Sequence, residues 1–175
     1  MLSVWLIIST AVLIVIDQLT KMWAVEQLHH ADRVIPVVDG VFELRYTENP
    51  GVAFSMLEGQ KWIFIPLTLV IGGLILVMLL RSPLRKKVLF DVTGVLILAG
   101  AIGNLIDRIA YGYVIDFLYF RLIDFPIFNF ADCCVVIGAF LLFFFVLFGM
   151  KGEEDTPLLT LFFGINKRDE ENNNG

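Results

Sequence analysis

WIFIPLTLVIGGLILVMLL, residues 62–80, is a run of 19 residues without one charged side chain. At 1.5 Å per residue a helix of that length covers about 28 Å, close to the roughly 30 Å of hydrocarbon in a bilayer. In lipid the backbone has no water to bond, so such a segment must close its own hydrogen bonds as a helix. CCVVIGAFLLFFFVLFGM, residues 133–150, repeats the pattern over 18 residues. Two more apolar stretches have polar ends. Leu2 to Ile16 continues past Asp17 and Lys21 to Val25, and Val88 to Ala110 is interrupted by Asp91, Asn104, Asp107 and Arg108. The expectation is a membrane α-helical protein with four transmembrane helices, at residues 2–25, 62–80, 88–110 and 133–150.

The whole chain agrees with that reading. Hydrophobic residues make up 58% of its 175 positions and charged residues 18%, against about 45–50% and about 25% in a soluble domain. The formal charge of -5 comes largely from acids at 153–155 and 169–171, and no basic patch offers a nucleic-acid surface. Nucleic acid is therefore excluded as an expected partner. Cys133 and Cys134 are adjacent and cannot easily bridge each other, and nothing beside them has zinc-ligand spacing. They read as packing residues, and neither a metal nor a cofactor is expected. The first span lacks the basic start and small-residue cleavage site of a secretory signal, so it is expected to stay attached.

Lysine and arginine resist translocation and set orientation. Arg81, Arg85, Lys86 and Lys87 crowd the short loop after residues 62–80, which predicts that this loop and both termini are cytoplasmic. The segments at 24–61 and 111–130 then face outward. Within residues 33–58, Val37-Val38 and Val41-Phe42 flank Asp39-Gly40, a two-residue hairpin signal, and Glu43 to Tyr46 alternates polar with apolar. A small extracytoplasmic sheet is expected there, with a short surface helix at Val52–Leu57. Residues 1–150 form one domain in this reading. Residues 151–175 form a mostly disordered cytoplasmic tail, in which nine apolar residues, Pro157 to Ile165, are too few to span.

Sorting polar residues by depth carries the functional expectation. Asp17 and Lys21 sit at the outer end of the first helix, and Asn104, about 24 Å along the third, shares its outer part with Asp107 and Arg108. Asp132 begins the fourth helix, and Asn49, Gly51, Asp116, Asp124 and Asn129 lie in the outer loops that join these ends. Asp91 alone lies near the cytoplasmic end, beside Arg85 and Lys87. Ionisable groups in a span cost several kcal/mol unless paired or facing a wet cavity, and several in one leaflet point to a site. Each also has a plainer reading. Asp17 with Lys21, and Asn104 with Arg108, are spaced i, i+4 and so fit satisfied contacts on one helix face. Asp107 and Arg108 fit support by hydrogen bonding, and Asp132 fits an N-cap. Asp116 has no basic partner at helical spacing. Two carboxylates close together at a membrane boundary cannot both ionise cheaply. One stays protonated and polarises a carbonyl while the other activates water, which is peptide hydrolysis without metal or covalent nucleophile. Spacing alone also admits Asp107 or Asp124 as a member of that pair.

Five blocks in order resemble the lipoprotein signal peptidases, also called signal peptidase II, over Leu2 to Met150. They are Asp17-Gln18-Leu19-Thr20-Lys21, Asn49-Pro50-Gly51-Val52-Ala53-Phe54-Ser55, Gly103-Asn104-Leu105-Ile106-Asp107-Arg108, Val114-Ile115-Asp116-Phe117 and Phe128-Asn129-Phe130-Ala131-Asp132. The resemblance implies that Asp116 and Asp132 are the catalytic dyad, and that Asp17, Asn49, Gly51, Asn104, Asp107, Arg108 and Asn129 bind substrate or support the site. It also implies a fold of four membrane helices with an outer β-cradle and a short surface helix. The implied substrate is a prolipoprotein carrying diacylglyceryl on its lipobox cysteine, cut just before that cysteine. A monomer among membrane lipid is expected, in the bacterial cytoplasmic (inner) membrane with its site toward the outer face. Pro50 stands where the family commonly has a polar residue, Cys133 and Cys134 where serine is common, and the tail after Met150 is longer than usual.

Overall fold

The computed structural model describes residues 4–29, 33–51, 61–81, 87–145 and 147. The expected surface helix at 52–57, the core of the basic loop at 82–86 and the tail at 151–175 lie outside the described residues. Four helices occupy the expected stretches: α1, Val4–Ala24, continuing as a π-helical turn over Val25–His29; α2, Lys61–Arg81; α3, Lys87–Ala110; and α4, Phe130–Phe144. Among the described residues, two apolar helical stretches, Val4–His29 and Val88–Ala110, are long and apolar enough to cross a membrane.

The distribution of side chains is inverted relative to a protein folded in water. Val4, Ile8, Val12, Val15, Leu19 and Met22 on α1 are exposed, while Asp17 and Lys21 on the same helix are buried. The same holds where Val136, Phe140 and Phe143 stand on the outside of α4 and Asn104 and Asp107 are turned inward on α3. Water would favour the opposite arrangement, whereas a lipid solvent accepts apolar side chains outside and drives polar groups together inside.

Three antiparallel strands, ordered β1-β2-β3, sit at one end: β1, Val34–Val38; β2, Phe42–Asn49; and β3, Val114–Tyr119. The hairpin between β1 and β2 forms where expected, but its loop has three residues rather than two. Val38 pairs with Phe42, the Val41 N–H reaches the Val38 carbonyl at 2.9 Å, and Gly40 takes φ +71°. A left-handed glycine inside a three-residue loop matches the right-handed twist of the strands it joins. The third strand was not expected, because Val114 to Tyr119 reads as loop until β2 supplies a partner. Leu44 and Tyr46 of β2 and Phe117 and Leu118 of β3 pack on Ala24 and Leu28, which seats the sheet on the end of α1.

α4 starts at Phe130, earlier than the charge-free run, and its N-cap is Asn129 rather than Asp132. The Asn129 side chain accepts from the Asp132 N–H at 2.9 Å, and the Asp132 carboxylate accepts from the Asn129 N–H at 3.1 Å. This reciprocal capping box satisfies two N–H groups that a helix start leaves open.

Candidate active site

Five elements converge at the junction of the sheet and the helices. Phe128 bridges to Leu118, with N–H to carbonyl distances of 3.0 and 2.8 Å, so the chain entering α4 runs beside β3. That contact brings Asn129 against Asp116. The Asn129 Nδ2 donates to Asp116 Oδ1 at 2.6 Å, to Asn104 Oδ1 at 3.0 Å and to the Ile115 carbonyl at 3.3 Å. From β2, paired with β3 through Thr47 and Asp116, the Asn49 Nδ2 donates to Asp116 Oδ2 at 2.7 Å. Asn49 is held by its own turn, in which its Oδ1 accepts from the Gly51 N–H at 2.9 Å. Gly51 takes φ +110°, a backbone state closed to side chains with a Cβ, so glycine is required for that turn. On the other carboxylate, the Asn104 Nδ2 donates to Asp132 Oδ1 at 2.7 Å, while Asp132 Oδ2 takes the capping N–H.

Asn129 therefore joins Asp116 and Asp132, through its side-chain amide and its backbone N–H respectively, and Asn104 bonds both Asp132 and Asn129. Asn129 and Asp116 are essentially without solvent contact. Burial, above all, pushes the Asp116 carboxyl up to about 7 from an ordinary 3.8, and the charge of Asp132 adds to the rise. Hydrogen bonds from Asn49 and Asn129 and the charge of Lys21 pull it partly back. A carboxyl raised into this range is suited to exchanging a proton near neutral pH.

Behind the asparagines lies a second layer. Lys21 Nζ makes ion pairs with Asp17 Oδ2 at 2.9 Å and Asp107 Oδ2 at 2.8 Å. It also donates to Asn104 Oδ1 at 2.9 Å. Asp17 Oδ1 accepts from the Ala131 N–H at 2.9 Å, and Asp107 Oδ2 from the Ile115 N–H at 3.1 Å. Gln18 Nε2 lies 3.1 Å from both Asp17 Oδ2 and Asp107 Oδ1. Arg108 Nη1 reaches the Asn104 carbonyl at 3.3 Å. A lone buried charge would be strongly destabilising, but here each carboxylate meets two or more donors.

All nine residues singled out in the sequence meet in this assembly, directly or, for Gly51, through Asn49. The i, i+4 pairing of Asp17 with Lys21 is real but is not the whole contact, because Asp107 closes on the same ammonium. Lys21 and Gln18 were not among the expected site residues. The signal for Lys21 was its depth, since a lysine inside a span needs more than one partner. Asp124 stands apart: at φ +47° it accepts from the Tyr119 hydroxyl at 2.6 Å, on the far end of β3. Asp107 is committed to Lys21. Neither residue bonds Asn129, which contacts both Asp116 and Asp132. Both cysteines are free. Among the described residues, no group of three or more His, Cys, Asp or Glu side chains is placed to hold a metal ion. A cleft of about 430 Å³ is lined by Gln18, Lys21, Glu26, Tyr46, Asp107 and Tyr113, and neither Asp116 nor Asp132 lines it.

The profile of the family described as Signal peptidase (SPase) II matches residues 9–148. The chain belongs to the signal peptidase II family. Membership makes it a peptidase, and the match spans α1 to α4 together with the sheet. Among similar proteins, the lipoprotein signal peptidase of Pelotomaculum thermopropionicum is 45% identical over 138 residues, covering 79% of this chain and 88% of the relative. That of Clostridioides difficile is 42% identical over 143 residues, covering 81% and 94%, and that of Halothermothrix orenii is 39% identical over 139, covering 79% and 92%. Two solved structures of a bacterial membrane enzyme, determined by the in meso method, share the fold. One, at 2.3 Å resolution, has TM-score 0.73 and 26% identity, covering 87% of this chain and 92% of that one. The other, at 1.9 Å, has TM-score 0.73 and 28% identity, covering 82% and 92%.

Proposed function

We propose that the chain is a four-span aspartyl endopeptidase of the bacterial inner membrane. It removes the signal peptide from prolipoproteins, cutting just before a cysteine that already carries diacylglyceryl. Residues 1–150 form the peptidase domain, acting as a monomer among membrane lipids, with residues 151–175 as a cytoplasmic tail. Both termini face the cytoplasm and the site faces outward. Asp116 and Asp132 are the catalytic pair. Asp17, Asn49, Gly51, Asn104, Asp107, Arg108 and Asn129 bind substrate or support the pair.

The observation that carries this reading is the junction of a buried carboxylate, Asp116, and a half-buried one, Asp132, through Asn129 and Asn104, with Asp116 raised to about 7. In the proposed reaction the protonated carboxyl donates to the scissile carbonyl oxygen. The ionised partner takes a proton from water as the water oxygen bonds to the carbonyl carbon. The tetrahedral diol then collapses, the carbon–nitrogen bond breaks, and the leaving amine takes up the proton. Two acyl chains on the substrate supply binding at about 0.8 kcal/mol per buried methylene and hold the scissile bond at membrane level. A solute carrier with carboxylates in its spans needs polar access from both faces, whereas the buried acids here, Asp91 excepted, gather at the sheet end.

The test is cleavage of a lipidated lipobox peptide in detergent by Asp116→Asn and Asp132→Asn. Both oxygens of each carboxylate face fixed donors, so an asparagine loses one hydrogen bond at a cost of about 1–3 kcal/mol, and folding is checked first. Each folded variant is expected to be inactive, and the native enzyme to keep its activity in chelator. Full activity in both variants sinks the dyad. Loss in chelator with recovery on adding zinc makes the protein a metallopeptidase instead.

A further inference from the structure

We propose that Lys21 is a positioning residue for Asp132, acting through the side-chain amide of Asn104. The inference rests on the reading of Asp132 as half of the reacting pair. It assigns to the buried ammonium a task beyond neutralising Asp17 and Asp107.

An ammonium has three N–H groups, and Lys21 has three acceptors at 2.8–2.9 Å: Asp17, Asp107 and the Asn104 amide oxygen. Its donor capacity is thereby full. The Asn104 oxygen is likewise full, with Lys21 Nζ at 2.9 Å and Asn129 Nδ2 at 3.0 Å on its two lone pairs. An amide is planar and carries oxygen and nitrogen at opposite corners, so fixing the oxygen fixes the nitrogen. The nitrogen is left facing Asp132 Oδ1 at 2.7 Å. Turning the amide over would set its NH2 against the ammonium and against the NH2 of Asn129, and its oxygen against the Asp132 carboxylate. All three contacts would be repulsive, and those with Lys21 and Asn129 are buried from water. The bond from a charged donor is the stronger of the two that hold the Asn104 oxygen.

This link differs from the other bonds of Lys21 in where it leads. Asp17 and Asp107 turn to backbone groups, the Ala131 and Ile115 N–H, and so hold α4 and β3 in place. Asn104 turns to a carboxylate, Asp132, whose other oxygen takes the capping N–H at 3.1 Å. Loss of Lys21 frees Asn104 to rotate and leaves Asp132 Oδ1 without a fixed donor. Lys21 itself hydrogen-bonds neither carboxylate of the proposed pair, so the expected effect of its removal is on turnover.

The experiment is a double-mutant cycle read as kcat and KM on a lipidated lipobox peptide. Lys21→Met alone leaves two buried carboxylates uncompensated, so it is paired with Asp107→Asn, in which Asp17 still accepts from Gln18 and Ala131. In Lys21→Met/Asp107→Asn, kcat is expected to fall by up to about 100-fold, the loss typical of a displacement near 1 Å, with KM within about threefold of native. Asn104→Ala is expected to show a similar kcat loss, and adding Lys21→Met/Asp107→Asn to it only about threefold more, because coupled residues are not additive. Full additivity, or a change confined to KM, overturns the proposal. Asn104→Ala with kcat within about threefold of native overturns it as well, whatever the folding of the Lys21 variants. Activity retained in Asp132→Asn would instead remove the dyad reading, so the two failures are told apart.

Discussion

Gly103→Ala tests the packing behind the site with one methyl group. A Cβ at Gly103 would lie 2.6 Å from Asp17 Oδ2, 3.1 Å from its Cγ and 3.3 Å from the Ala131 Cβ. Ordinary contact begins at 3.4 Å, so the first approach is short by about 0.8 Å. The carboxylate has little room to yield, because Oδ2 is bonded to Lys21 at 2.9 Å and Oδ1 to the Ala131 N–H at 2.9 Å. If α3 moves instead, it carries Asn104, the next residue, away from Asp132. Either shift misplaces the carboxylate pair by a fraction of an ångström to about 1 Å, for which losses reach about 100-fold in rate. Overpacking of this kind costs about 1–3 kcal/mol. The usual advantage of alanine over glycine in a helix, about 0.5–1 kcal/mol, offsets only part of that. Initial cleavage rates and thermal unfolding in detergent measure both effects. Gly73→Ala on α2, where nothing lies within 4 Å of the added methyl, is the control and is expected to keep native activity. Native rates and stability in Gly103→Ala would refute the reasoning.

Other outcomes follow from the same geometry. Because Asp116 holds its proton up to about 7, activity is expected to fall as pH rises past that value. Asn49→Ala, which removes a bond that lowers the Asp116 value, should move this limb to higher pH; a limb displaced downward contradicts it. The sign for stability is set by the raised value: the Asp116 contribution is full below 3.8 and lost as pH rises through about 7, which unfolding between pH 5 and 8 would register. Orientation is checked in a Cys-free variant, where a cysteine at Ser82 should resist an impermeant thiol reagent in intact cells and one at Asp39 should react. The reverse pattern would invert the site. An unlipidated lipobox peptide should be cut far more slowly than its diacylglyceryl form, and equal rates would remove lipid from substrate recognition.

The helices of this protein are legible in its sequence because lipid imposes a one-dimensional rule: a segment that crosses must be long, apolar and self-bonded. Residues 62–80 and 133–150 follow that rule so closely that no tertiary information is needed to predict helix. The depth of Asp17, Asn104 and Asp107 follows from counting 1.5 Å steps along those helices, and it collects the polar residues at one end before any fold is known. Family membership is likewise written in five short blocks.

Tertiary structure alone decided how those residues divide their work. β3 depends on pairing with β2, since strand formation rests on neighbours more than on intrinsic preference, and Asp116 has its position only because that strand exists. Asn129 bonds both Asp116 and Asp132 while Asp107 turns to Lys21 and Asp124 to Tyr119, a division that spacing along the chain cannot express. Lys21 was visible as half of an i, i+4 pair. Its other acceptors, Asp107 and Asn104, lie more than eighty residues away on α3, and an ammonium can report all three acceptors only after α1 and α3 have packed.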